Sequence, residues 1–112
     1  METLDIVKTA KTALEDRKAE DISIIDIREI STIADYFVIA TGANQNQLNA
    51  MGDAVEEALG KLGVSLRHVE GTRSSSWILM DYRDVIVHLF SREDREFYDI
   101  ERIWTDGKKI EV

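Results

Sequence analysis

The residues able to do chemistry are few, and their spacing argues against a reaction centre. Two-metal catalysis needs a close pair of carboxylates. On one strand those two must stand two residues apart to face the same way. The available pairs, Asp26 with Glu29 and Asp81 with Asp84, are three apart. Asp81 and Asp84 suit the shaping of a hairpin loop instead. There is no cysteine, so thiolate chemistry and disulfides are excluded. His68 and His88 fall on separate predicted strands with no evident third ligand, which argues against a zinc site. Gly42, ahead of a predicted helix, could cradle a phosphate or simply form a tight strand-to-helix turn. The expectation is therefore no catalytic residue, no cofactor and no metal, and a function carried by binding.

Charge narrows the partner. The chain has 112 residues with 22 acids against 14 bases, a net charge of -8. Nucleic-acid backbones are gripped by Lys and Arg that displace counterions. No basic run exceeds two residues, the length of Lys108-Lys109, so direct nucleic-acid binding is not expected as a main role. A basic protein surface suits an acidic domain better, because opposite fields speed encounter. No apolar run approaches the roughly 20 residues of a membrane span, and Met1 to Lys11 is not an apolar signal core. The lack of cysteine fits the cytoplasm.

The elements that must position any binding residues follow from periodicity. Hydrophobic residues make up 44 % and charged residues 32 %, which suits one globular domain spanning 1–112 with a polar, loose tail from about 105. Leu4, Val7, Ala10 and Leu14 mark a first helix. Asp21 to Ile27, rich in isoleucine, reads as a strand, and Tyr36 to Ala40 as a buried one. Leu48, Met51, Val55, Leu59 and Leu62 form a helical stripe, capped by Asn44 or Asn46 and stopped at Gly63. Ser65 to Glu70 reads as a third strand, so this strand, helix and strand form a parallel, right-handed βαβ unit. Trp77 to Met80 and Val85 to Phe90 flank a four-residue loop as a hairpin. Ser91 caps a last helix with Phe97, Ile100 and Trp104 as its apolar stripe. The predicted fold is α/β, a small mixed sheet of about five strands packed with helices, in the order αββαβββα.

The hairpin singles out a surface. Pairing Met80 with Val85 and Trp77 with His88 puts Ile78, Met80, Val85, Val87 and Leu89 on one wholly apolar face. The other face carries Trp77, Leu79, Ile86, His88 and Phe90. A one-residue slip would exchange the two faces. Either the last helix covers this second face as ordinary core, or part of it stays open as a binding patch. Between Trp77 and Trp104 lie both tryptophans and two of the three tyrosines, with seven acids against four arginines. Aromatic anchors with an acidic rim fit a basic protein partner.

Four segments then stop being generic: Asp35-Tyr36-Phe37-Val38-Ile39-Ala40-Thr41-Gly42, Trp77 to Tyr82, Asp84 to Phe90, and Arg95 to Trp104. In order and spacing they resemble the ribosomal silencing factor family, also called Iojap-related, along nearly the whole chain. The resemblance implies a nucleotidyltransferase-like α/β fold and a homodimer when free. It also implies a translational repressor that docks on the large ribosomal subunit, through ribosomal protein L-fourteen, and blocks subunit joining under nutrient limitation. Carried onto matching positions, it points to Trp77, Leu79, Asp81, Tyr82, His88, Phe90, Tyr98, Ile100 and Trp104 as the contact region, with Asp81 facing a basic residue of the partner. After Gly42 the chain departs from the family pattern, reading Ala43-Asn44-Gln45-Asn46-Gln47 where serine and a basic residue are usual. That departure also weakens the alternative of a nucleotidyltransferase-type enzyme, which needs a Gly-Ser turn. A homo-oligomeric ribosome-assembly adaptor is the other alternative.

Overall fold

The computed structural model describes residues 2–112; Met1, the first residue of the expected domain, lies outside the described residues. Helix α1, Thr3–Asp16, starts where the Glu2 N–H donates to the Asp5 carboxylate at 3.0 Å, and it buries Val7, Ala10, Ala13 and Leu14. Strand β1, Glu20–Asp26, and strand β2, Tyr36–Gly42, then pair antiparallel. Every residue of β2 is buried. Helix α2, Gln45–Lys61, is capped by the Asn44 side chain, which accepts from the Gln47 N–H at 2.8 Å. It buries Leu48, Met51, Val55 and Leu59 and stops at Gly63, whose φ of 80° suits the missing Cβ.

The remaining elements are β3 (His68–Glu70), β4 (Trp77–Asp81), β5 (Val85–Ser91), α3 (Arg92–Tyr98), α4 (Ile100–Ile103) and β6 (Lys108–Ile110). The sheet runs in the order β3-β4-β5-β2-β1-β6, with β2 and β5 parallel and the other neighbours antiparallel. Alternation splits its side chains between two apolar layers. Ile24, Val38, Met80, Val87 and Leu89 meet α1 and α2. Ile25, Phe37, Ile39, Ile86, Phe90 and Ile100 belong to the opposite layer, and the half-buried Trp77, Leu79 and Trp104 pack against it.

The mixed α/β class is as expected, and five details differ. The sheet has six strands, not about five, because the tail expected to be loose pairs Lys108, Lys109 and Ile110 with Asp26, Ile25 and Ile24. Gly107 permits that approach: a Cβ there would lie 2.6 Å from Ile25 Cγ2. The third strand is His68–Glu70 rather than Ser65 to Glu70. It runs in the same direction as β2 but sits on the sheet edge, with β4 and β5 between them. The parallel partner of β2 is β5.

The hairpin register is offset by two residues from the expected one: Trp77 pairs with Phe90 and Met80 with Val87. An offset of two leaves every side chain on its expected face, because the strand period is two. The turn is also tighter than a four-residue loop. Asp81 belongs to β4, the Tyr82 N–H donates to the Val85 carbonyl at 2.9 Å, and Arg83 takes a φ of 77°. Finally, the last helix is broken. Asp99 adopts a left-handed conformation, φ 45°, ending α3 and starting α4. Aspartate, like asparagine, enters this region more readily than most residues other than glycine. The break removes Phe97 from the expected apolar stripe and leaves it 79 % exposed.

Candidate functional site

The second layer of the sheet is where the aromatic residues converge. Trp77 and Phe90 stand opposite each other on neighbouring strands, and their rings stack at 4.9 Å between centroids. Tyr98, at the end of α3, lies 4.6 Å from the Trp77 ring, and Phe97 meets Tyr98 edge-on at 5.0 Å. Further along the same face, Trp104 meets Phe37 edge-on at 5.0 Å and Phe37 meets His88 at 4.8 Å. Such edge-to-face and offset contacts match the positive rim and negative face of aromatic rings.

His88 sits inside this cluster. The indole N–H of Trp77 donates to His88 Nδ1 at 3.2 Å. An indole N–H can only donate, so Nδ1 accepts and the imidazole proton resides on Nε2. That Nε2 is buried and has no hydrogen-bond partner among the described residues. Burial among apolar rings pushes the His88 pKa down to about 4, because the charged form would be desolvated. The residue is a neutral, sheet-internal histidine at neutral pH.

The candidate residues divide by depth. Trp77, Leu79 and Trp104 are half-buried and Tyr98 is 44 % exposed, so all four reach the surface of this layer. Phe90, His88 and Ile100 lie beneath them, at 0 %, 5 % and 8 % exposure. Asp81 is half-buried, and its carboxylate accepts from the Arg83 N–H at 2.7 Å, which fixes the hairpin turn. Tyr82 is separate from the rest. It packs in the layer beneath α1 and α2, and its buried hydroxyl has no partner among the described residues. Burial first, and the nearby Glu56 charge second, push its pKa up to about 12. Tyr82, Phe90, His88 and Ile100 are thus interior residues of this chain rather than surface contacts.

Two large apolar residues stand at the surface although neither was expected there. Among the described residues, Phe97 at 79 % and Ile103 at 72 % are the most exposed large apolar side chains. Phe97 was expected in one apolar stripe with Ile100 and Trp104; the left-handed turn at Asp99 parts it from them. A half-buried arginine holds this broken helix against the sheet. Arg95 Nε donates to Glu101 at 3.0 Å, Nη1 to the Thr41 hydroxyl at 2.9 Å and to the Asp21 carbonyl, and Nη2 to the Ser23 hydroxyl at 3.2 Å. Ser76 adds a short hydrogen bond to Asp94, tying α3 to the approach to β4.

Sheet order, two helices on one face and a short broken helix over an aromatic layer on the other define a small mixed-sheet α/β domain. The family model described as "Ribosomal silencing factor during starvation" matches residues 1–112. The chain belongs to that ribosomal silencing factor family. It is 35 % identical over 107 residues to the ribosomal silencing factor of Bacillus subtilis, covering 96 % of this chain and 91 % of that one. With the ribosomal silencing factor of Halalkalibacterium halodurans it shares 30 % identity over 112 residues, 100 % of this chain and 96 % of the relative. A crystal structure of a Chromobacterium violaceum protein, 36 % identical, superposes with a TM-score of 0.91 over 100 % of this chain and 92 % of that one.

Proposed function

We propose that this protein is a ribosome-associated translational repressor. It docks on the large subunit through ribosomal protein L-fourteen and blocks joining of the small subunit when nutrients are short. One observation supports the reading most: the exposed Phe97 meets the partly exposed Tyr98, whose ring lies against Trp77, and Ile103 stands exposed on the helix that follows. Contiguous exposed apolar surface on a soluble domain marks an interaction site, and tryptophan and tyrosine are favoured anchors. Glu93, Glu96 and Asp99 on the same connection are exposed and give the rim an acidic character, which suits a basic protein such as a ribosomal one. In the free protein a second copy covers this face, giving a homodimer. Docking requires no catalytic residue, metal or cofactor.

The test is co-sedimentation of the purified protein with isolated large subunits, coupled to light scattering of subunit joining and to capture of purified L-fourteen. The expected result is a one-to-one complex, slowed joining and direct capture. Absence of co-sedimentation at low salt overturns the ribosomal reading. Co-sedimentation without capture of L-fourteen overturns the choice of partner.

A further inference from the structure

On the face of β4 opposite the aromatic layer, a cleft of about 270 Å³ opens between α2 and the β3–β4 edge of the sheet. Its floor is apolar, made by Leu66, Val69, Ile78 and Met80. Asp53 and Glu56, one turn apart on α2, form its acidic lip. The volume is just below the roughly 300–1,000 Å³ typical of small-molecule pockets, which suits one long side chain better than a nucleotide.

Three further observations point to an occupant. Arg73 already reaches the lip from the loop after β3, and its guanidinium holds the Asp53 carboxylate with bonds of 3.1 to 3.4 Å. Both side chains are well exposed, at 71 % and 61 %, so this pair is readily exchanged. The loop itself stays in place when the side chain leaves: Asn49 donates to the Arg73 carbonyl at 2.9 Å and Gln45 to the Ser75 carbonyl at 2.9 Å. Glu56 has no hydrogen-bond or ion-pair partner among the described residues.

The wall carries the third. Gly52 lies inside α2, where glycine is a net cost. Nothing in the packing demands it: a Cβ there would meet Leu89 Cδ1 at 3.6 Å and Met80 Sδ at 3.9 Å, ordinary contact distances. What the missing side chain does is leave the cleft wall bare.

We propose that this cleft binds an arginine side chain from a basic polypeptide, which displaces Arg73. The aliphatic stem lies on Val69, Ile78 and Met80, and the planar fork takes the Asp53 carboxylate as Arg73 does, with Glu56 as second acceptor. Arg73 is then an internal competitor that guards the site. The site lies across the sheet from the docking face proposed above and does not depend on that reading.

The experiment is amide and methyl NMR titration of the full chain with N-acetyl-arginine amide and with an acetylated, amidated Gly-Arg-Gly peptide. Shifts are expected at Gly52, Asp53, Glu56, Val69 and Met80. Asp53→Asn with Glu56→Gln should weaken binding at least tenfold. Arg73→Ala should tighten it severalfold, whereas Arg17→Ala, an equal charge change just after α1, should leave it nearly unaltered. Gly52→Leu should close the cleft and abolish the shifts, with an otherwise native spectrum showing the fold intact. Shifts absent from the cleft, or equal tightening by Arg73→Ala and Arg17→Ala, overturn the proposal. So does undiminished binding by the Asp53/Glu56 double variant or by folded Gly52→Leu. Stronger binding of N-acetyl-lysine amide than of the arginine probe overturns the choice of a planar fork.

Discussion

The Trp77 indole N–H donates to His88 Nδ1 across the β4–β5 ladder, and this one bond fixes both the indole and the imidazole tautomer. Leu79, not Trp77, stands directly opposite His88; the Trp77 ring reaches diagonally, as long aromatic side chains can. A residue half at the surface is thereby anchored to one that is buried.

Acid should loosen this anchor. Burial lowers the His88 pKa to about 4 in the folded chain, while the unfolded chain has the ordinary value near 6.5. Between those values the unfolded state binds more protons, so stability rises with pH across that window and is lost as pH falls through it. The contribution amounts to roughly 3 kcal/mol at most. Urea unfolding of the wild type and of His88→Leu at pH 7 and pH 4 reads it directly. The wild type should lose about 2–3 kcal/mol more than the variant on acidification; equal losses would show that His88 is not buried neutral.

Phe97 and Ile103 separate docking from folding. Truncating such exposed side chains changes stability by no more than about 0.5 kcal/mol, yet an interface anchor is worth ~2 kcal/mol or more. Phe97→Ala with Ile103→Ser should leave the thermal midpoint within about 3 °C and weaken large-subunit binding at least tenfold, measured by co-sedimentation. Trp77→Ala should weaken binding as well, but with a measurable loss of stability, because the ring is half-buried against Phe90 and Tyr98. Unchanged binding in the double variant would remove this face from consideration. Tyr82→Ala tests the interior instead and should act through stability alone.

Arg95 should prove structural. Its guanidinium joins α3 to β1, β2 and α4 while the side chain is only 14 % exposed. Removing it leaves several acceptors without donors, at about 2–4 kcal/mol. Arg95→Met should lower stability by that amount in denaturant unfolding. Arg95→Lys should recover little, because one ammonium cannot span acceptors set for a planar fork. Full recovery by lysine would show that charge alone, rather than the fork, holds the broken helix.

The sequence carried the core well because its signals were local and periodic. Val7, Ala10 and Leu14 on α1, and Leu48, Met51, Val55 and Leu59 on α2, are buried as their spacing required. The hairpin faces survived a register error for the same reason: Ile78 and Met80 alternate with Trp77 and Leu79 whatever residue they pair with. Alternation also places Tyr82 with Met80, away from the aromatic layer, although its chemistry resembles that layer. What could not be read depended on distant partners or on one dihedral. Lys108-Lys109-Ile110 has no strand pattern and becomes one only because β1 offers an edge. Phe97 parts from Ile100 and Trp104 because Asp99 turns left-handed between them. The family resemblance supplied the ribosomal expectation, whereas burial separated Trp77, Leu79, Tyr98 and Trp104 at the surface from Phe90, His88 and Ile100 below.

The β1–β6 pairing has a consequence for how the chain is made. Strand β1 is complete at Asp26, but the strand that covers its outer edge begins at Lys108. Roughly 80 residues separate them, which at ~5–20 residues per second of synthesis is about 4–16 s. Throughout that interval an isoleucine-rich edge with unpaired backbone groups faces the crowded exit of the ribosome, the kind of edge that templates unwanted pairing. The outer edge of β1 is therefore covered only after Lys108 to Ile110 have been made and have folded back onto it.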